Sequence, residues 1–502
     1  MENSTAIGIY FGEDDLVMAR VINKDFRILE NQDNEPITPA VVYITEDHEP
    51  VVGKMALSYG GIDSKNIIRD IQHLIGRDSL DPTVQDEIMR ASYQAVPAKN
   101  GEIEIVLRER NYSIIDLASF LFASLKRDAE MATDQSVSQA VISVPAYFDD
   151  RRKEAVRKAG EKAGLTVMQI LPEPTAVGLA YGMDNNTEKP KVFLVYSLNK
   201  RSFDVTVMRC VAGRFTELGK TGDMHLGGDD FNHLIIDWMI EQARMEHHID
   251  PVAWRNNPQI MWDLKNYAEQ TTYRLSKMAQ VQIAIPAITK NNESPLNLNY
   301  KLSRDQFNAL IHPLVDRSID LVSEALRKAN TTMEEIDAVL LAGSSTRVPL
   351  VEERLREVFG QKVVRSNINP AHCIAQGAAI QTLVPPETVP NKAEPEIVVE
   401  AEPVAATPEE PPQVLDQPVL CTCGVLNPAG RTTCCFCGVT LAGAEQKVKK
   451  PAKKPEAPPK APATQPKTLP QTPAQKEPVV IDTDETWIDL DGTMMHSVDE
   501  DK

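Results

Sequence analysis

The chain has 502 residues, 25% of them charged and 42% hydrophobic, with a net charge of −19 and a pI near 5.0. That length implies two or more domains with room for substantial cores. That acidity argues against a nucleic-acid or membrane-surface role unless a local basic patch supplies one. No apolar run approaches the roughly 20 residues needed to cross a bilayer. The start, MENSTAIGIYFGEDD, places no basic region ahead of its apolar stretch, so the expectation is an intracellular, cytoplasmic protein.

Residues 5–10 and 16–22 read as two strands joined by the turn FGEDD, and residues 192–196 and 203–210 repeat that plan around SLNKRS. A strand-turn-strand unit that recurs some 190 residues later suggests a duplicated domain. Between the hairpins, Ser113 and Asp116 form a capping box opening an amphipathic helix to Met131, and Asp149 and Asp150 precede the helical run RRKEAVRKAGEKAG. Glycine-rich GDMHLGGDDFN, residues 222–232, leads into an apolar helix over 231–240. Ser303 and Gln306 cap a long helix reaching Asn330; a buried strand at 338–342, the turn GSSTR and a helix at 349–359 follow. Trp238, Met239, Met261 and Trp262 sit at helical spacing and read as core.

Composition changes near residue 385, and 19 of the 35 prolines lie at or beyond Pro385, so this part buries no core of its own. The organisation read from sequence is a domain over 1–385, a Pro/Glu-rich linker over 386–418, a cysteine module over 419–443, a Lys/Pro/Ala-rich linker over 444–478 and an acidic tail over 479–502.

Two loops carry the pattern of an anion site. Gly227 and Gly228 fit a phosphate cradle at a helix start, although two acids there equally fit ordinary partners of the helix dipole. Gly343, Ser344 and Ser345, with Pro349 in the next first helical turn, let backbone approach a ligand, or simply make a tight turn.

The segments VISVPAYFDDRRKEAVRKAGEKAGL (141–165), LPEPTAVGLAYGMD (171–184), GDMHLGGDDFN (222–232), LAGSSTRVPLVEERLREVFG (341–360) and NPAHCIAQGAAIQ (369–381) together resemble the nucleotide-binding domain of the seventy-kilodalton heat-shock chaperones of the DnaK type. The resemblance runs in order from residue 5 to about 383. It implies an α/β, actin-like two-lobed ATPase fold, each lobe on a five-stranded sheet with flanking helices, and ATP or ADP bound between the lobes.

In the resemblance, the family's first phosphate turn, roughly DLGTT, corresponds to Tyr10, Phe11, Gly12, Glu13 and Asp14. A magnesium-shell aspartate has become tyrosine and two phosphate-donating hydroxyls have become carboxylates. Two like charges about 4 Å apart repel by roughly 1 to 4 kcal/mol, so Glu13 and Asp14 oppose a triphosphate unless a cation sits between them. The second turn, DLGGGTFD in the family, reads Ser197, Leu198, Asn199, Lys200, Arg201, Ser202, Phe203 and Asp204. A second aspartate and three glycines are replaced there, so Lys200 and Arg201 stand where the glycine cradle would be, either as a cationic clamp on phosphate or as a solvated hairpin tip. The family's water-orienting lysine corresponds to Gln72.

What the resemblance keeps is Glu173 and Asp204 in catalytic positions, and Gly227, Gly228, Gly343, Ser345 and Arg347 around the nucleotide. Its adenine clamp corresponds to Glu269, Thr272 and Ser276, without the lysine, and Ala371 replaces an acidic residue. Hydrolysis in this fold needs metal-shell carboxylates, donors on the γ-phosphate and an oriented water. The expectation is therefore an ATP- or ADP-binding protein in which magnesium binding is doubtful and hydrolysis is absent or very slow. A scaffold that binds no nucleotide and a slow ATPase using Glu173, Asp204 and Lys200 are the alternatives. No β-rich stretch after residue 385 is long enough for the family's substrate-binding domain, so a client-folding cycle is not expected from this chain alone.

Cys421, Cys423, Cys434 and Cys437, or the same set with Cys435 for Cys434, resemble short zinc-ribbon modules, with glycine after the second thiolate of each pair, but they depart from that pattern at the first ligand, where Leu420 stands and the cysteine has slid to 421. Four thiolates with no open position imply structural zinc. Protein partners are expected to use this module and the acidic tail, where Trp487, Ile488 and Leu490 lie among acids. The lysine-rich stretch has no interleaved aromatics, so it reads as a spacer and not as a nucleic-acid site.

Overall fold

Ile7, Ile9 and Phe11 alternate with Gly8 and Tyr10 along the strand Thr5–Phe11, so period two sends the two sets to opposite faces of a sheet. Both faces are buried, the first in one lobe's core and Tyr10 in a separate core shared with the second lobe. The strand Lys191–Leu198 repeats the device: Leu194, Tyr196 and Leu198 enter the second lobe's core, while Phe193 and Val195 join Tyr10 in the shared one. In the computed structural model the described residues are 5–22, 25–69, 71–184, 189–288, 296–363 and 368–384, with the backbone of 419–420 and 426–427.

The chain divides into two units, Met1–Glu396 and Ile397–Lys502. In the first, one sheet runs in the order Thr166–Pro172, Val137–Val144, Thr5–Phe11, Asp15–Ile22 and Asp25–Leu29, with the short strand Thr38–Pro39 paired to Asp15–Ile22. Its first two pairings are parallel and the hairpin pairings antiparallel. The corresponding sheet of the second lobe runs Arg214–Asp223, Phe203–Val211, Lys191–Leu198 and Ala338–Ala342, again with two antiparallel pairings and then a parallel one. The duplication read from the two hairpins is thus a duplication of sheet order. Among the described residues the second lobe's sheet pairs four strands, and a parallel bridge between Val339 and Val363 lies at the edge where the fifth is expected.

The helices begin where their caps dictate. The Ser113 hydroxyl accepts from the Asp116 N–H at 3.1 Å and the Asp116 carboxylate accepts the Ser113 N–H, opening Ile114–Thr133. Ser303 and Gln306 do the same for Arg304–Lys328, and Asp149 caps Asp150–Lys162. One helix is longer at both ends than expected: that read over 231–240 spans Gly228–His247, which puts Gly227 at its N-cap. Met239 is buried as expected, but Trp262 is 39% exposed because it lies on the outer face of Pro258–Lys277.

Two short apolar helices, Glu173–Ala180 and Cys373–Gln381, fill the shared core against Tyr10, Phe193 and Leu340. Their burial fixes both hairpin turns and Glu173 relative to one another. Among the described residues no helix is long and apolar enough to cross a membrane.

Candidate functional site

The turn of the first hairpin is held by the Gly12 N–H donating to the Asp15 carbonyl at 3.1 Å and by the Gln72 side-chain amide donating to the Phe11 carbonyl. Glu13, 7% exposed, points inward to His73, whose Nε2 lies 3.4 Å from Glu13 Oε1 while its Nδ1 lies 2.6 Å from Glu87 Oε1. Burial alone would lower the imidazole pKa, but hydrogen bonds to Glu13 and Glu87 and the Glu13 charge prevail and raise it to about 9. Burial pushes Glu13 up, yet the hydrogen bond and charge of His73 and the charge of Arg201 hold it below the usual range. The result is an acid–imidazole–acid triad in which His73 and Glu13 are buried and Glu87 is partly buried.

The second turn reaches across to the first. Arg201 Nε lies 3.2 Å from Asp14 Oδ2, and Lys200 Nζ lies 3.0 Å from Glu269 Oε1. Burial acts to lower the Lys200 pKa, but Glu269, Asp14 and other nearby carboxylates keep it above its ordinary value. Both cations are therefore engaged by acids of the protein itself. Ser202 is buried near Glu13, and its carbonyl accepts the Asn199 N–H at 2.9 Å, closing the turn.

That turn sits on the start of Gly228–His247. The Gly228 N–H donates to the Asn199 carbonyl at 3.0 Å, the Asp229 N–H to the Lys200 carbonyl at 2.7 Å, and the Gly227 N–H to Asp230 Oδ2 at 2.8 Å. A helix N-terminus favours anions because its first N–H groups lack partners; here the protein's own carbonyls and carboxylate take them. The smallness of Gly227 serves the same packing, since a Cβ there would overlap the Lys200 carbonyl. Ser345 Oγ donates to the Asn199 carbonyl at 3.0 Å, and Gly343, at φ 86°, packs on Leu198 and Asn199 with its N–H on the Pro370 carbonyl.

The sequence-derived residues thus fall into three places. Lys200, Gly228, Glu269, Ser276, Ser345 and Arg347 line one cavity of about 240 Å³, with Thr272. Lys200 and Gly343, with Glu13, Asp14 and Ala371, border a second space of only about 20 Å³. Glu173 and Asp204 face a third of about 10 Å³, on the order of one water. Gly12, Arg201, Ser202 and Gly227 border none of these three and act through turn geometry and ion pairing. Burial, then the Glu13 charge, pushes Asp204 up to about 7; burial, then the charges of Asp204 and Glu13, raises Glu173 well above a usual carboxyl. Asp15, between the first two spaces, is raised to about 6 chiefly by burial.

Sequence reasoning missed His73, Glu87, Asn232 and Tyr273. Tyr273 follows Thr272 on its helix and lies under the Arg347 guanidinium, 5.4 Å from ring centroid to Cζ, so the helical face already implicated carried a signal for it. Asn232, whose Oδ1 accepts from Thr272 Oγ1 at 2.8 Å, and the His73 triad depend on contacts between segments far apart in the chain. Cys421, Cys423, Cys434, Cys435 and Cys437, Trp487, and the linkers and tail lie outside the described residues.

The family model described as Hsp70 protein matches residues 6–397. The chain belongs to the Hsp70 family. It is 36% identical over 378 residues, 75% of the chain, to the chaperone protein DnaK of each of two strains of Thermus thermophilus. The aligned region spans 60% of each of those proteins.

Hsp70 proteins bind ATP or ADP, generally with magnesium. Among the described residues no group of three or more His, Cys, Asp or Glu side chains is arranged to hold a metal ion. The N–H groups at the helix start are occupied, and the phosphate end offers about 20 Å³ bordered by Glu13, Asp14 and Asp15. The nucleoside end stays open.

Proposed function

We propose that this chain is a non-hydrolysing Hsp70-type domain, in which the cleft is a ligand-responsive regulatory element and not an ATPase centre, and that it acts through protein partners. The observation that carries this reading is the second hairpin turn seated on the helix Gly228–His247, with Arg201 paired to Asp14 and Lys200 paired to Glu269. Phosphoryl transfer requires free donors and cations aimed at the developing charge, and here those groups answer to the protein's own acids and carbonyls. Full-length protein incubated with millimolar ATP and magnesium is expected to release no phosphate beyond a Glu173→Ala control. Release clearly above that control would reinstate a slow ATPase using Glu173 and Asp204.

For the second unit, the reading is a structural zinc module on Cys421, Cys423, Cys434 and Cys437. The backbone pairing of Val419 with Asn427 and Leu420 with Leu426 supports it, because a two-strand hairpin brackets the stretch that contains Cys421 and Cys423. Purified full chain is expected to carry about one zinc per molecule by elemental analysis, retained through dialysis and lost when Cys437 is changed to serine. Metal content at background level ends the zinc reading.

A further inference from the structure

The two ends of the cleft differ in space, charge and available donors, and the difference points to a ligand. At the phosphate end, Glu13, Asp14 and Asp15 border about 20 Å³, and each cation there already has an acidic partner. To seat a β- or γ-phosphate, the turn would have to break the Arg201–Asp14 pair and withdraw the Asn199 and Lys200 carbonyls from the Gly228 and Asp229 N–H groups. The freed site would still present carboxylates to phosphate oxygens. The nucleoside end has about 240 Å³, and Asp15 and the Lys200–Glu269 pair on its lining leave that space open. There Tyr273 and the Arg347 guanidinium provide faces for an aromatic base, the Glu269 carboxylate is an acceptor for sugar hydroxyls, and Ile37 and Val348 supply apolar wall.

We infer that the cleft takes an unphosphorylated nucleoside, without magnesium, in preference to nucleoside di- or triphosphates. This rests on the reading of a ligand-responsive, non-hydrolysing cleft. Each added phosphate enters the acidic end and weakens binding, so the usual order of a phosphate-anchored site is reversed.

Calorimetric titration of the full chain with adenosine, AMP, ADP and ATP, each with and without magnesium, tests the inference. Adenosine is expected to bind most tightly, affinity to fall at each added phosphate to roughly tenfold or more weaker for ATP, and magnesium to leave adenosine binding unchanged. Tyr273→Ala is expected to weaken adenosine by roughly tenfold. Asp14→Asn, which removes one acid from the phosphate end, is expected to raise the ratio of ATP to adenosine affinity by roughly tenfold. Tighter binding of ATP than of adenosine, or ATP binding that requires magnesium, overturns the inference while leaving a non-hydrolysing cleft intact as long as phosphate release stays at the control level. No binding of any of the four overturns both the inference and the ligand-responsive reading.

Discussion

Replacing His73 with alanine is expected to destabilise the domain by about 3 to 5 kcal/mol at neutral pH, because it leaves Glu13 and Glu87 without the cation between them. His73 and Glu13 are 5% and 7% exposed, so solvent does little to screen what remains. The pH dependence follows from the direction of each shift. The His73 pKa is raised from its usual 6.5 to about 9, so its contribution is complete below about 6.5 and is lost as pH rises through 9. Glu13 and Glu87 are held below their usual values, so their contribution is present above about 4.5 and lost on acidification below that. Asp204 and Asp15, raised from 3.8 to about 7 and about 6, add a loss of the same sign as His73 over the lower part of the range. Urea midpoints of the full chain, followed by circular dichroism, are therefore expected to fall between pH 6 and pH 9. In the alanine variant the fall between pH 7 and pH 9 shrinks. An unchanged midpoint at pH 7, or an unchanged slope above it, would remove the triad from the account of stability.

The second large effect lies in the core shared by the two sheets. Gly377 in the helix Cys373–Gln381 lies against Glu173–Ala180 so closely that a Cβ would overlap the Ala176 carbonyl and sit 2.8 Å from its Cα. The obstacle is backbone of a largely buried helix, which cannot swing aside as a side chain does. Gly377→Ala is expected to cost about 3 kcal/mol or more through overpacking. That corresponds to a drop of roughly 4 °C or more in the thermal midpoint for a domain of this size. Gly61→Ala is the matching control, since nothing lies within 4 Å of a Cβ there. It is expected to change the midpoint by less than about 2 °C. Equal effects at the two positions would mean that the helices separate freely, and that Glu173, the first residue of the partner helix, is not held in place by this contact.

Both predictions concern the positioning of the cleft, and they bear on how much of it was legible. The capping pairs Ser113–Asp116 and Ser303–Gln306, the two hairpins and the buried strand Ala338–Ala342 are set by neighbours within a few residues, so pattern alone located them. The start of Gly228–His247 was placed three residues late. What begins that helix is the acceptance of its first N–H groups by Asn199 and Lys200, a contact with a distant segment. The altered phosphate turns were equally legible as substitutions, because Tyr10, Glu13, Asp14 and Ser197 stand in motifs of fixed spacing.

What those substitutions mean was decided by tertiary structure. In the sequence, Lys200 and Arg201 fit either a clamp on phosphate or a solvated tip, and the fold does something different with them by bringing Glu269 and Asp14 within ion-pair distance. Likewise Glu13 reads as an uncompensated charge until His73 closes on it. By itself, then, the acidic 502-residue sequence determined a repeated strand-turn-strand unit and its capped helices, because alternation and capping are local, while the two lobes were what the family resemblance implied. Which charges cancel, which N–H groups stay available and which half of the cleft remains open depend on packing between segments far apart in the chain, and only the folded arrangement settles that.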